Sequence, residues 1–357
     1  MTAATAPERF AAAELDLEVE DAEAFHLACL ERGWGDGLPM IPPTRARVER
    51  MLAEFDGDPQ AIRGHLPTGR GAVTAELLAV QAVLAGCRPE AFPILVAAVD
   101  GVLDPAFNLH SIQATTHPVG VTMIVSGPIV QRVGVHAGAG CLGPGYPVNA
   151  TLGRAMRLTL LHVGLARPGE GDRATHGQPG KFTSCFAERA DANPFSSLAV
   201  DRGVNAAMSA VTVVGTEAPH NVNDHVGSTA AHIGTVAASA MSTTANNNAY
   251  GQNLGEMLLV LGPEHAATIA ADGWDKDDLR HFLYERARIP LRQLKIGGMW
   301  GMHAWPAWLE SLDDDDRIPV VRAPERFLIT VAGGEGKHSL AFPTFASSRA
   351  VTTAIDA

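Results

Sequence analysis

The stretch THGQPGKFTSC, residues 175–185, places His176, Lys181 and Cys185 in eleven residues, with Glu188 three further on. It carries two glycines and a proline and shows neither a period of 2 nor one of 3.6. A thiolate at neutral pH needs positive charge beside it. Lys181 and His176 are the groups that would supply it to Cys185, and Glu188 would move a proton or orient a water. Cys185 as nucleophile, Lys181 as charge stabiliser and His176 with Glu188 as proton-transfer groups would cleave or add across a carbon–heteroatom bond. The alternative is a surface loop with a solvated lysine and a packed cysteine.

A second set of residues suits anion binding. The glycine-rich run GVHAGAGCLGPGYPVNATLGR (134–154) leads into a helix, with Asn149 as the expected N-cap. Arg154 and Arg157 follow three apart on that helix, in position to clamp a carboxylate. No G-x-x-x-x-G-K-[ST] phosphate loop occurs, and the preceding strand ends well before the glycines, so no dinucleotide fingerprint is present. Asn223 and the ANNNAYGQN segment (245–253) add short amides that could bind a polar substrate or form turns. The third set is His117, His136 and His225 with Asp224, a donor set suited to zinc or another first-row metal. It lacks tight spacing such as H-E-x-x-H, and a structural hydrogen bond is the competing reading for each histidine.

These residues need a scaffold. The chain has 357 residues, 46% hydrophobic and 18% charged, with net charge −12. No Lys/Arg run appears, which argues against nucleic acid and anionic membrane as partners. No basic segment followed by an apolar core opens the sequence, and no run approaches the roughly 18 apolar residues of a span, so the expected compartment is the cytoplasm. Cys29, Cys87, Cys141 and Cys185 form no C-x-x-C pair and are expected as free thiols.

The apolar runs VTMIVSGP (121–128), AVTVVGT (210–216), EMLLVLGP (256–263) and FLITVAGG (327–334) have strand length and end in turn residues. Helices are expected at 149–164, 228–241 and 277–289 between them. Earlier helices follow Asp21, Thr44 and Thr74, and a further apolar one covers 89–103. The pattern predicts an α/β fold, with an N-terminal arm and helices over 1–60 and a catalytic domain over 61–357. S-x-x-x-T-T recurs at 111–116 and 239–244, each time before a strand that ends in Gly-Pro. A pseudo-two-fold repeat, with halves near 61–200 and 201–357, would place a ligand cleft between them. The apolar helices suggest a homo-oligomer.

Four segments together carry a resemblance: D-G-L-P-x-x-P-P-T at 36–44, A-G-C-x-P-E-x-F-P at 85–93, N-A-x-x-G-R-A-x-R-L at 149–158, and G-x-P-G-K at 177–181 leading to Cys185. In this order they resemble a poorly characterised bacterial family, over roughly residues 33 to 345. That family is associated with small U-G-S-C or C-G-S-C proteins similar to the selenol-bearing subunit of the glycine reductase system. The resemblance implies an enzyme or enzyme subunit and, by position, marks Asn149, Arg154, Arg157, Gly180, Lys181 and Cys185. This chain has no C-G-S-C of its own, so a required thiol or selenol would come from a small partner protein.

Overall fold

The computed structural model describes residues 10, 12, 13, 15, 17, 21–244, 246–250, 255–297 and 307–355. Most of the N-terminal arm, and Ala245 and Gly251 to Asn253 of the Asn-rich segment, lie outside them.

Its strands, in chain order, are β1 (Gly64–His65), β2 (Ala72–Val73), β3 (Gly120–Ser126), β4 (Cys185–Ala187), β5 (Ser209–Thr216), β6 (His220–Asn223), β7 (Met257–Leu261), β8 (Arg288–Pro290), β9 (Arg317–Pro319), β10 (Phe327–Val331), β11 (His338–Pro343) and β12 (Val351–Ile355). Two four-stranded sheets dominate, ordered β12-β5-β3-β4 and β10-β7-β11-β6. The chain is an α/β protein. Its sheets are mixed: β3 pairs parallel with β4 and β7 with β10, and the other pairings within them are antiparallel.

The period-2 alternation of side chains explains why the central strands read as continuous apolar runs. On β3, Met123 and Val125 pack with the helices Ala75–Ala85, Phe92–Leu103 and Pro147–His162. Ile124 points the other way and joins Phe186, Val214, Leu258, Val260, Leu328 and Phe342 between the two sheets. On β7, Met257, Leu259 and Leu261 pack with Ala230–Met241, Pro263–Ala271 and Lys276–Arg286. Helices thus cover the outer face of each sheet, and the inner faces cover one another. Burial on both faces, rather than all-parallel pairing, makes the runs apolar.

Read from β4, the first sheet pairs parallel, antiparallel, antiparallel; read from β10, so does the second. After β5 the chain crosses to the second sheet as β6, and after β11 it crosses back as β12. An isolated antiparallel bridge, Thr216 to Thr344, joins the two crossing points. The division at residue 200 therefore does not separate the sheets, because the first takes β5 and β12 from beyond it.

The expected early helices form at Ala22–Glu31, Arg45–Leu52, Ala75–Ala85 and Phe92–Leu103. Thr74 caps the third by accepting from Leu77 N, and Gly86 ends it at φ 86°. Among the described residues no single helix is long and apolar enough to cross a membrane.

Candidate functional site

The 175–185 segment runs along the end of the first sheet. Arg173 N donates to Gln113 O at 3.0 Å and Thr175 N to Thr116 O at 2.9 Å. The segment then turns through Pro179–Lys181, where Gln178 Oε1 accepts from Gly180 N. Gly180 therefore shapes this turn. Gln178 Nε2 donates to Thr216 O at 3.3 Å, and a Cβ on Gly120 would lie 3.3 Å from both Gln178 Nε2 and Lys181 Cγ. Gly120 is the residue that lets the segment lie flat against the start of β3.

Lys181 and Cys185 part company at this point. Lys181 Nζ donates to both oxygens of Asp172, at 2.7 and 2.8 Å. Arg157 donates to Asp172 Oδ2 at 3.3 Å. One buried carboxylate is thus shared by two cations, both held below their ordinary pKa by burial and raised in part by Asp172. Cys185 instead opens β4, paired with Met123, and is 3% exposed. Burial, with the nearby Cys87 sulfur adding to it, pushes its thiol well up, and Cys87 is itself raised to about 12. A thiol in this position lacks the adjacent positive charge that a nucleophile requires. The expected Cys185–Lys181–His176 set is not assembled: His176 is exposed on the turn, and the apolar core claims the cysteine.

Glu188 is likewise a structural group. Its buried carboxylate accepts from Ser126 Oγ at 2.5 Å, Leu198 N at 2.8 Å and Thr330 Oγ1 at 2.6 Å, which ties β3 of one sheet to β10 of the other.

The anion clamp expected at 149–157 is also taken up by the protein. The helix begins at Pro147 after Tyr146, so Asn149 is inside its first turn rather than its cap. Its side chain accepts from His136 N at 2.8 Å and donates to the carbonyls of His136 and Cys141, which fixes the glycine-rich loop. Arg154 forms a fork on Asp36 at 2.7 and 2.8 Å and donates to the carbonyls of Leu38 and Pro39. It holds the Asp-Gly-Leu-Pro turn, and with it the motif at 36–44. Gly153 lets this helix meet the segment before β4, since a Cβ there would lie 2.4 Å from Thr183 Oγ1.

The metal set is dispersed. His136 stacks on Tyr146 with centroids 3.5 Å apart, His225 lies edge-on to His338, and Asp224 accepts from Val226 N and Gly227 N. Asn223 pairs with His338 at the edge of the second sheet. Among the described residues no group of three or more His, Cys, Asp or Glu could hold a metal ion. His136 lines an open cleft of about 630 Å³ with Arg189, Asp191 and Glu335.

His117 has a different arrangement. Its Nε2 lies 2.8 Å from Glu217 Oε1, and its ring stacks on Phe345 with centroids 5.7 Å apart. Glu217 follows directly after β5, and Asn247 N donates to the same oxygen at 3.1 Å. An ionised carboxylate only accepts, so a neutral imidazole here carries its hydrogen on Nε2 and leaves Nδ1 as a bare acceptor. That Nδ1 is buried with no partner. Four buried side-chain polar atoms without a partner occur among the described residues, and two of them, Gln113 Oε1 and His117 Nδ1, fall within five residues. Buried polar groups are ordinarily paired, so the bare Nδ1 of His117 calls for an explanation.

Glu217, Asp172 and Gln178 were not singled out by sequence reasoning. The available signal was position: Glu217 is the first charged residue after an apolar strand. Compared with family models, curated proteins and solved structures, the chain matches none.

Proposed function

We propose that this chain is a cytoplasmic enzyme that moves a proton on a small polar, anionic molecule, cleaving or adding across a carbon–heteroatom bond. The His117–Glu217 pair is its acid–base group. One observation carries the reading: Nε2 of His117 is held by a carboxylate while Nδ1 is an unpaired acceptor. A carboxylate that fixes the tautomer and steadies the imidazolium is the arrangement by which histidine serves as general base. At the same end of the first sheet, Lys181 and Arg157 share the single charge of Asp172, a local excess of one positive charge that favours an anionic substrate. The four cysteines are free, three of them buried and Cys87 half-buried. This supports a second reading, that a thiol or selenol step is supplied by a small partner protein rather than by this chain.

The test is turnover of a panel of small carboxylates, amides and amino acids, followed by proton NMR, with and without a C-G-S-C protein. For any substrate found, His117→Gln is expected to lower kcat by roughly 10²- to 10⁴-fold. Full activity in that variant ends the reading.

A further inference from the structure

A second charged constellation lies at the start of β7. Glu256 is buried, its side chain 6% exposed, and Oε2 accepts from Ala350 N at 2.6 Å. Two guanidinium groups face its other oxygen: Arg202 Nη1 at 3.8 Å and Arg326 Nη1 at 4.0 Å. A third, Arg349, donates from Nη1 to Gly255 O at 3.0 Å, one residue away. These four side chains come from the turn after Leu198–Asp201, the entry to β7, the turn Pro324–Arg326 and the loop before β12. The fold, not a sequence run, assembles them.

Charge does not balance here. Three arginines face one carboxylate, a local excess of two positive charges. Separations of 3.8 and 4.0 Å are ion-pair distances but too long for hydrogen bonds, so Glu256 does not use up the N–H groups directed at it. Arg202 is nevertheless held in place, with Nε on Thr352 Oγ1 at 2.8 Å and Nη2 on Ala350 O at 2.5 Å. Nη1 is the part of its fork that those bonds leave to the Glu256 side. Arg349 is held below its ordinary value by burial and by the charges of Arg326 and Arg322, which Glu256 offsets in part. The side chains of Arg202 and Arg326 are 25% and 35% exposed, so a ligand can reach them from solvent.

We propose that Arg202, Arg326 and Arg349, seated around the buried Glu256, form a binding site for a small oxyanion of the phosphate class. Guanidinium forks match the oxygens of phosphate in pairs, and a doubly charged anion cancels the excess of two. Glu256 keeps the arginines converged when the ligand is absent. The site does not depend on the acid–base reading of His117.

The test is the thermal midpoint and calorimetric titration of the full chain with inorganic phosphate against sodium chloride of equal ionic strength. A saturable rise with phosphate alone is expected, with binding weakened at least about tenfold in Arg326→Gln, the loss of one charged hydrogen bond. Arg326→Lys, which keeps the charge without the fork, is expected to fall between the two, and it serves as the readout should the Gln variant fold poorly. Absence of a phosphate response in the wild type up to about 10 mM, well above a millimolar dissociation constant, overturns the proposal. So does an identical response in both variants, or in chloride.

Discussion

His117 and Glu217 stand 100 residues apart in sequence and 2.8 Å apart in space, joined through Nε2 and Oε1. His117 lies just ahead of β3 and Glu217 just beyond β5, and these strands pair antiparallel from Gly120–Thr216 to Ser126–Ala210. The register of one ladder therefore brings the pair together. This bond fixes which nitrogen is free. In its neutral form, His117 is expected by nitrogen-15 NMR to carry its hydrogen on Nε2 and to be bare on Nδ1. Glu217→Gln, whose amide can donate as well as accept, should shift the ring toward the other tautomer and lower kcat by roughly 10²-fold or more. An unchanged tautomer in that variant would show that Glu217 does not set it.

Cys185 should be inert in the native state. Iodoacetamide at pH 8 is expected to label it only as fast as the protein unfolds, because burial keeps the thiol protonated. Cys185→Ser places a hydroxyl in the same apolar site and should cost about 1–3 kcal/mol by urea denaturation. Rapid labelling of Cys185 in folded protein would restore the nucleophile reading.

Glu188 is expected to matter for stability. Glu188→Ala removes the acceptor for Ser126, Leu198 N and Thr330 at the junction of the sheets, at a cost of roughly 3–5 kcal/mol. Equilibrium unfolding in urea measures it; a loss below about 1 kcal/mol would mean that these donors find other partners.

The Arg154–Asp36 pair should give the protein part of its acid sensitivity. Asp36 is held below its ordinary value of 3.8: burial alone would raise it, but the hydrogen bonds from Arg154 and Leu38 and the charge of Arg154 outweigh that. The folded state thus takes up this proton at lower pH than the unfolded chain. Its stabilisation is complete well above 3.8 and is lost as pH falls below it. Stability plotted against pH should fall less steeply below about pH 4 in Asp36→Asn than in the wild type, from a lower starting level at pH 7. Parallel curves would exclude the pair as a source.

Gly153→Ala sets two effects against each other. Alanine favours a helix by about 1 kcal/mol, but its Cβ would press on Thr183 Oγ1 and Ser184 N. The clash involves backbone, so the variant is expected to lower the thermal midpoint; a rise would show that the segment before β4 yields.

The sequence by itself determined the α/β class, the helices that follow Asp21, Thr44 and Thr74, and the central strands. Period and turn residues are local signals, and they act over ten residues or fewer. It did not disclose β6, β11 and β12, whose His, Asn, Pro and Thr content is unlike a buried run, nor that both sheets are mixed and that the first takes its edge strand β12 from beyond the second. It also placed chemistry where reactive residue types lie close in sequence. Tertiary structure decided otherwise. Lys181 turned to Asp172 and Cys185 into the core, because Lys181 closes the turn Pro179–Lys181 whereas Cys185 opens β4 and pairs with Met123 of β3. Arg154 went to Asp36, and His117 found its partner 100 residues away. Charged and polar groups are satisfied by whatever the fold brings within about 3 Å, and strand register, which no single stretch of sequence contains, sets that neighbourhood.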